Sequence, residues 1–406
     1  MTASPIESRY AWVRLAASVA LSTVGGVGMW SVVVALPAIQ ADFGIARAEA
    51  ALPYTLAMLG FGGGGVLMGR LADRFGIAIP ALLGTVMMAA GYVSAGLSAS
   101  LWQVALAHGL LIGFGCSATF GPLMADISHW FARRRGIAVA VAASGNYISG
   151  TIWPTLVQHF IATQGWRATH IGIGVVCLLL MLPLLLVLRR PLEAQAHAAA
   201  GVAAAKRQAE APFSPRTLQI LLCVAGVACC VAMAMPQVHI VAYCGDLGYG
   251  VARGAEMLSL MLGCGIVSRI GSGFIADRIG GVRTLLLGSL LQGAALVLYL
   301  LFDGLFSLYV ISALFGLFQG GIVPSYAIIV REYFSPREAG TRVGLVLMAT
   351  LIGMALGGWM SGKIFDLAGS YQAAFLNGLA WNLLNVSIMT WLLLRTRIGV
   401  VSTRMA

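Results

Sequence analysis

Apolar runs of about 20 residues, enough to cross roughly 30 Å of hydrocarbon as helix, recur along the chain. They fall near 12–37, 49–69, 77–97, 101–125, 136–160 and 167–188, and again near 216–243, 254–275, 282–302, 304–330, 341–362 and 371–394. Each reads as a membrane-spanning helix, so the expected fold is an all-α membrane protein of twelve spans. Most connections are short, which makes neighbouring helices antiparallel. The exception is 189–215, Ala-rich and charged (Lys206, Arg207, Glu210) with prolines at 191, 212 and 215; it reads as a linker between bundles at 1–188 and 216–406. Within it, HAAAGVAAAK is a candidate surface helix.

An internal duplication matches this six-plus-six pattern. The octapeptide GRLADRFG, Gly69 to Gly76, returns as GFIADRIG, Gly273 to Gly280, an offset of 204. Trp130-Phe131 and Gly136 have counterparts in Tyr333-Phe334 and Gly340, at offsets of 203 and 204. Coincident offsets across diverged sequence mark two copies of one unit.

Helix breakers are unevenly placed: Pro154 and Pro324 lie inside spans five and ten, Pro183 near the end of span six, Pro236 in span seven. Proline frees a carbonyl and kinks a helix. Each either marks a cavity-lining kink or serves packing alone. The glycine runs Gly62 to Gly65 in span two and Gly353, Gly357, Gly358 and Gly362 in span eleven suit close sliding of helices.

Composition agrees. Hydrophobic residues make up 59% of the chain and charged residues 10%, against roughly 25% charged in soluble domains. The first apolar run is too long for a cleaved leader, so it reads as span one. A net charge of +11 raises the question of a nucleic-acid partner. Its distribution removes it: with the N-terminus inside, only Arg47, Arg167, Arg253 and Lys363 lie outside and Arg269 lies within a span, leaving 20 of 25 Lys and Arg on the inner side. That asymmetry is the positive-inside rule; it puts both termini in the cytoplasm and implies no polyanion. The seven cysteines lie in or near spans without CxxC spacing and read as small hydrophobes. No spacing points to a metal or cofactor.

A parallel six-helix repeat with G-x-L-A-D-R-x-G between spans two and three resembles the major facilitator superfamily of secondary transporters. Within it, WFARRRGIAVAVAASG (Trp130 to Gly145) and SRIGSGFIADR (Ser268 to Arg278) look like the monocarboxylate transporter and oxalate/formate antiporter branches. The resemblance implies the major facilitator fold, alternating access between two halves, and Arg269 as the carboxylate-binding arginine of span eight. There are departures. The proton-coupled monocarboxylate carriers commonly have an aspartate four residues before that arginine and a lysine in span one; here the position is Gly265 and span one has no lysine. The second cation of the antiporter branch, in span eleven, is also missing around Thr350, Leu351 and Ile352.

Arg269 is the charged residue set deep in a span, eight residues before Asp277. A central membrane arginine costs at least about 2.5 kcal/mol and must face a cavity or a partner. Its planar fork matches a carboxylate; the alternatives are snorkelling to inner headgroups or pairing with a gate carboxylate. Around the expected cavity, Ser117 and Thr119 (span four, beside Phe120), Asn146 and Tyr147 (span five), Gln237 (span seven), Gln319 and Tyr326 (span ten) are candidate substrate contacts. Each alternatively bonds within its own bundle. Met29, Trp30, Phe315 and Phe318 are candidate apolar walls.

No carboxylate stands at mid-membrane. His239, late in span seven, is therefore the candidate for proton coupling, with His108 behind it; the alternative for His239 is a satisfied histidine near the outer mouth. Asp73 with Arg70 and Arg74, and Asp277 with Arg278, read as an inner gate, which Asp126 and Arg133 to Arg135 could complete.

The expected activity is transport of small organic anions, monocarboxylates first, by a functional monomer in the cell membrane, a bacterial inner membrane by this reading, with protons as a further candidate partner. Two rivals remain: an efflux carrier for drugs or metabolites, and a membrane sensor on the same fold. Span five lacks a Gly-Pro pair, since Trp153 precedes Pro154, and no long extension follows span twelve. An enzyme is not expected, because no nucleophile-base set or acid pair shares one depth.

Overall fold

The computed structural model describes residues 7–131, 134–189, 214–334 and 336–402. The expected linker, with its candidate surface helix, falls almost entirely outside these residues, as does Arg133. Among the described residues there are helices and no strands. Among the described residues, ten helices are long and apolar enough to cross a membrane.

In the first half of the chain, α1 (Arg9–Gly25) runs into α2 (Val27–Phe43), followed by α3 (Arg47–Ala50), α4 (Leu52–Phe75) and α5 (Ala78–Gly96). The next long segment is α6 (Leu101–Leu106), a π-helical stretch Ala107–Gly113, α7 (Phe114–Ser117) and α8 (Gly121–Trp130). The half closes with α9 (Arg135–Leu185). The second half holds α10 (Pro215–Asp246), α11 (Val251–Ile279), α12 (Gly281–Leu301), α13 (Leu305–Gln319), α14 (Ile322–Tyr333), α15 (Pro336–Ala368) and α16 (Gln372–Ser402).

Local chemistry sets the boundaries. The Ser8 hydroxyl caps α1 by accepting from the Ala11 N–H, and Ser214 caps α10 ahead of Pro215, meeting donors that a helix start leaves open. The 51 residues of α9 are broken at Gly165, where φ is +81°. Expected spans five and six meet at that break. Pro324 stands in the first turn of α14, just past the interruption at Gly320–Gly321. There it lacks no helical hydrogen bond, because first-turn N–H groups have no partner within the helix.

The duplication is visible in the backbone. Left-handed glycines occur at Gly44 and Gly248, Gly76 and Gly280, and Gly165 and Gly369, all three pairs at an offset of 204. Interior packing repeats at the same spacing. A Cβ on Gly113 would press into the Ala57 carbonyl, and one on Gly316 into the Met261 carbonyl, pairs offset by 203 and 204. At these points two helices approach backbone to backbone, the membrane mode of packing. Gly316→Ala should therefore cost about 1–3 kcal/mol of stability, read as a lower unfolding midpoint in detergent. An unchanged midpoint would show that the α11–α13 contact yields freely.

Within the first half, α1 and α2 pack on α9, and α4 packs on the π-helical stretch; within the second, α10 packs on α15 and α11 on α13. The halves are joined by α9 with α11, by α4 and α3 with α15, and by α2 with α10 and α11. The candidate site lies on the first of these seams.

Candidate functional site

One stripe of α9, spaced by four residues, meets α11. From one end to the other, the Thr155 and Ser259 hydroxyls lie 3.0 Å apart, Gly263 faces Thr151, and Gly265 faces the Tyr147 ring. Next along, Arg269 Nη1 donates to the Ala143 carbonyl at 3.3 Å. The guanidinium carbon sits 4.7 Å from the Tyr147 ring centroid. Arg269 Nε is buried and has no hydrogen-bond partner among the described residues. The cation in the second half is thus held by a ring face and one carbonyl from the first half, with donor capacity left over.

Asn146 stands next to Tyr147 on α9. It borders a small recess lined also by Ser22, Gly26, Met29, Phe61, Cys116, Thr119 and Phe120. The Asn146 side-chain oxygen is buried and unpartnered. The Thr119 and Ser117 hydroxyls donate to carbonyls of their own helical segment, Cys116 at 2.7 Å and Phe114 at 2.6 Å. Gln319 accepts from Gln237 Nε2 at 2.8 Å inside the second half and does not line the recess. Tyr326 accepts from Asn385, and Phe315 packs edge-on to Tyr299. Of the sequence candidates, then, Arg269 and Tyr147 meet across the halves, Asn146, Thr119, Phe120 and Met29 line a recess within the first half, and Gln319, Gln237 and Tyr326 form bonds within the second.

The two ends of the molecule differ. At one end Arg47 is buried between the halves: its Nη1 donates to the Tyr371 hydroxyl at 2.8 Å, its Nη2 pairs with Asp246 at 3.1 Å, and its guanidinium lies over Phe365. The N–H groups of Arg47 and Ala48 both donate to the Asp366 carboxylate at 2.8 Å. His239 joins this network. Its Nε2 donates to the Gly358 carbonyl at 2.8 Å, which leaves Nδ1, 3.0 Å from the Tyr371 hydroxyl, to accept that proton.

At the other end, Arg70, Asp73, Arg74, Asp277 and Arg278 are exposed. Among the described residues no ion pair joins them to each other or across the halves. Asp126 is taken by Arg14, whose Nε and Nη2 donate to its two oxygens at 2.7 and 2.8 Å. This bond lies within the first half. An ion pair joins the halves at the Arg47 end, and among the described residues none does at the Asp73 end.

Comparison with known proteins agrees with this architecture. The model of the Major Facilitator Superfamily matches residues 19–304 and 257–404. The chain belongs to that superfamily. A monocarboxylate transporter 13 from Bos taurus is 30% identical over 314 residues, covering 75% of this chain and 71% of the relative; its Rattus norvegicus counterpart matches equally. An agnestins efflux protein from Paecilomyces divaricatus is 25% identical, with 80% and 73% covered. A bacterial homolog of the human lysosomal transporter Spinster, solved inward-facing and unoccupied, shares the fold at a TM-score of 0.70 and 16% identity, with 98% of each chain covered.

As a member of this superfamily, the chain is a multi-pass membrane transporter handling a small molecule. Sequence reasoning missed two of its polar centres. Arg47 read only as an outer-loop cation, and its partners Asp246, Asp366 and Tyr371 lie about 200 or more residues away. Arg14 read as part of an apolar run, yet it is 1% exposed, chelated by Asp126 and stacked on Trp130. A basic residue one turn inside span one and an acid late in span four were the only signal. His108 packs with His170 and Tyr92 inside the first half, its Nδ1 bonded to the Val104 carbonyl.

Proposed function

We propose that this transporter is a secondary carrier of small organic anions, monocarboxylates above all, with Arg269 binding the substrate carboxylate. The observation that carries the proposal is the Arg269 guanidinium on the seam between the halves, held by a neutral ring and a carbonyl with its Nε unpaired. A carboxylate offers that fork far stronger acceptors than either partner. In this reading the first-half recess supplies hydrogen-bonding groups from Asn146 and Thr119 and apolar walls from Met29, Phe61 and Phe120. One cation suits one carboxylate.

The transport cycle follows from the two ends. Twelve spans are counted when α9 is divided at Gly165 and α16 is included, as bundles 1–188 and 216–406 joined by 189–215. Charge asymmetry then places the Arg47 end outside and the Asp73 end in the cytoplasm. On this reading the carrier rests inward-open. In the opposite state the loops holding Asp73 and Asp277 close the inner side while the Arg47 network separates. His239 is the proposed proton site. A second proton on its ring would have to displace the Tyr371 hydroxyl proton, next to Arg47 and facing Asp366 and Asp246, so protonation loosens the outer closure. The proposed setting is the cell membrane, a bacterial inner membrane, with a monomer as the working unit.

Purified carrier in proteoliposomes tests this reading with a panel of labelled monocarboxylates and dicarboxylates, with and without an inward proton gradient. Uptake of at least one monocarboxylate above all dicarboxylates is expected, accelerated by the gradient and relieved of that acceleration by a protonophore. Preference for a cationic or neutral compound would transfer the assignment to the metabolite-efflux reading, which the 25% identical efflux relative favours.

A further inference from the structure

We infer that Tyr147 is a positioning residue that parks the Arg269 side chain when the site is empty, so that the carrier completes its cycle without a bound anion and performs net transport instead of obligatory exchange. The inference rests on the anion-carrier reading above and concerns its empty limb.

A guanidinium at membrane depth must have a partner. During exchange the substrate supplies one on every crossing. During net transport the carrier returns empty, and the protein must supply a substitute that holds the charge yet gives way to a carboxylate. A carboxylate side chain would hold it too tightly. The face of an aromatic ring and the second lone pair of a helical carbonyl are neutral, and both are weaker partners than an ionised acid. Arg269 has these two, the Tyr147 ring at 4.7 Å and the Ala143 carbonyl at 3.3 Å. Both belong to α9 in the opposite half, so the contact also draws the halves together around the vacant site.

A second observation shows that this seat is shaped for the ring. The Tyr147 side chain lies over Gly265, where a Cβ would come within 2.7 Å of Cδ1 and closer still to Cε1. Only glycine leaves the ring in place. Among the described residues the Tyr147 hydroxyl makes no hydrogen bond, so the ring face is the working part.

The test compares two modes in the same proteoliposomes: exchange of labelled against unlabelled internal monocarboxylate, and net uptake into vesicles without internal substrate. In Tyr147→Leu the ratio of net uptake to exchange should fall about thirtyfold, the weight of one cation–π contact in a dry site. Gly265→Ala attacks the same seat from α11 and should lower the ratio in the same way, which carries the test if the leucine variant does not assemble. Tyr147→Phe should keep the wild-type ratio. A wild-type ratio in both Tyr147→Leu and Gly265→Ala, or a Tyr147→Phe ratio as low as that of leucine, overturns the parking role while leaving the anion-carrier reading intact. Wild-type carrier that moves no labelled monocarboxylate in either mode overturns the reading itself, and parking with it.

Discussion

Replacing Arg269 with alanine should lower monocarboxylate transport by about two orders of magnitude, more than any other single substitution. Two charge-assisted hydrogen bonds to a carboxylate are each worth about 1.5–3 kcal/mol, and every 1.4 kcal/mol is roughly tenfold. Arg269→Lys keeps the charge and loses the fork, and about a tenfold loss is expected. The order wild type, lysine, alanine is the informative part, because a side chain that merely reached the inner headgroups would be served equally well by lysine. The measurement is the concentration dependence of uptake at matched amounts of reconstituted protein. Alanine carrier with wild-type affinity would end the assignment of this residue to the substrate.

Arg47→Ala should shift the resting carrier away from the state closed at the Arg47 end. Breaking a buried pair costs about 3–5 kcal/mol. Asp246 is 36% exposed, so solvent screening reduces the effect; about 2 kcal/mol, roughly a thirtyfold change in the population ratio, is a reasonable expectation. Spin labels at the exposed positions Ala41 and Leu367 report it as growth of a longer distance across the halves. Asp366→Asn should move the distribution in the same direction, since it weakens acceptance from the Arg47 and Ala48 N–H groups. An unchanged distribution in both variants would mean that the network is incidental to closure.

The site was legible unevenly, for reasons that particular residues make plain. Arg269 stood out because charge is costly in hydrocarbon, so one cation in an apolar run demands an account without any coordinates. Asn146 and Tyr147 stood out because glycines on either side leave the backbone open. Gln319 carried the same kind of signal and met Gln237 instead. Hydrogen-bonding capacity can be read from a residue's type, but the partner that takes it up depends on the rotation of each helix about its axis. Arg47 had no signal at all: a basic residue in an outer loop is ordinary, and only docking of the opposite half buries it.

The sequence by itself determined that the chain is helical, that it lies in a membrane and that it is built from two copies of one unit. Each of these is set by local quantities: the length of apolar runs, the sign of charge in the loops, and glycines recurring at a fixed offset. Tertiary structure decided which copies of the duplicated features are joined. The two Ala-Asp-Arg loops are nearly alike in sequence, yet both are exposed while the opposite end is sealed by Arg47, Asp246 and Asp366. Halves that can rock have more than one low-energy packing, and the choice between packings rests on contacts between residues far apart in the chain, which no local pattern encodes.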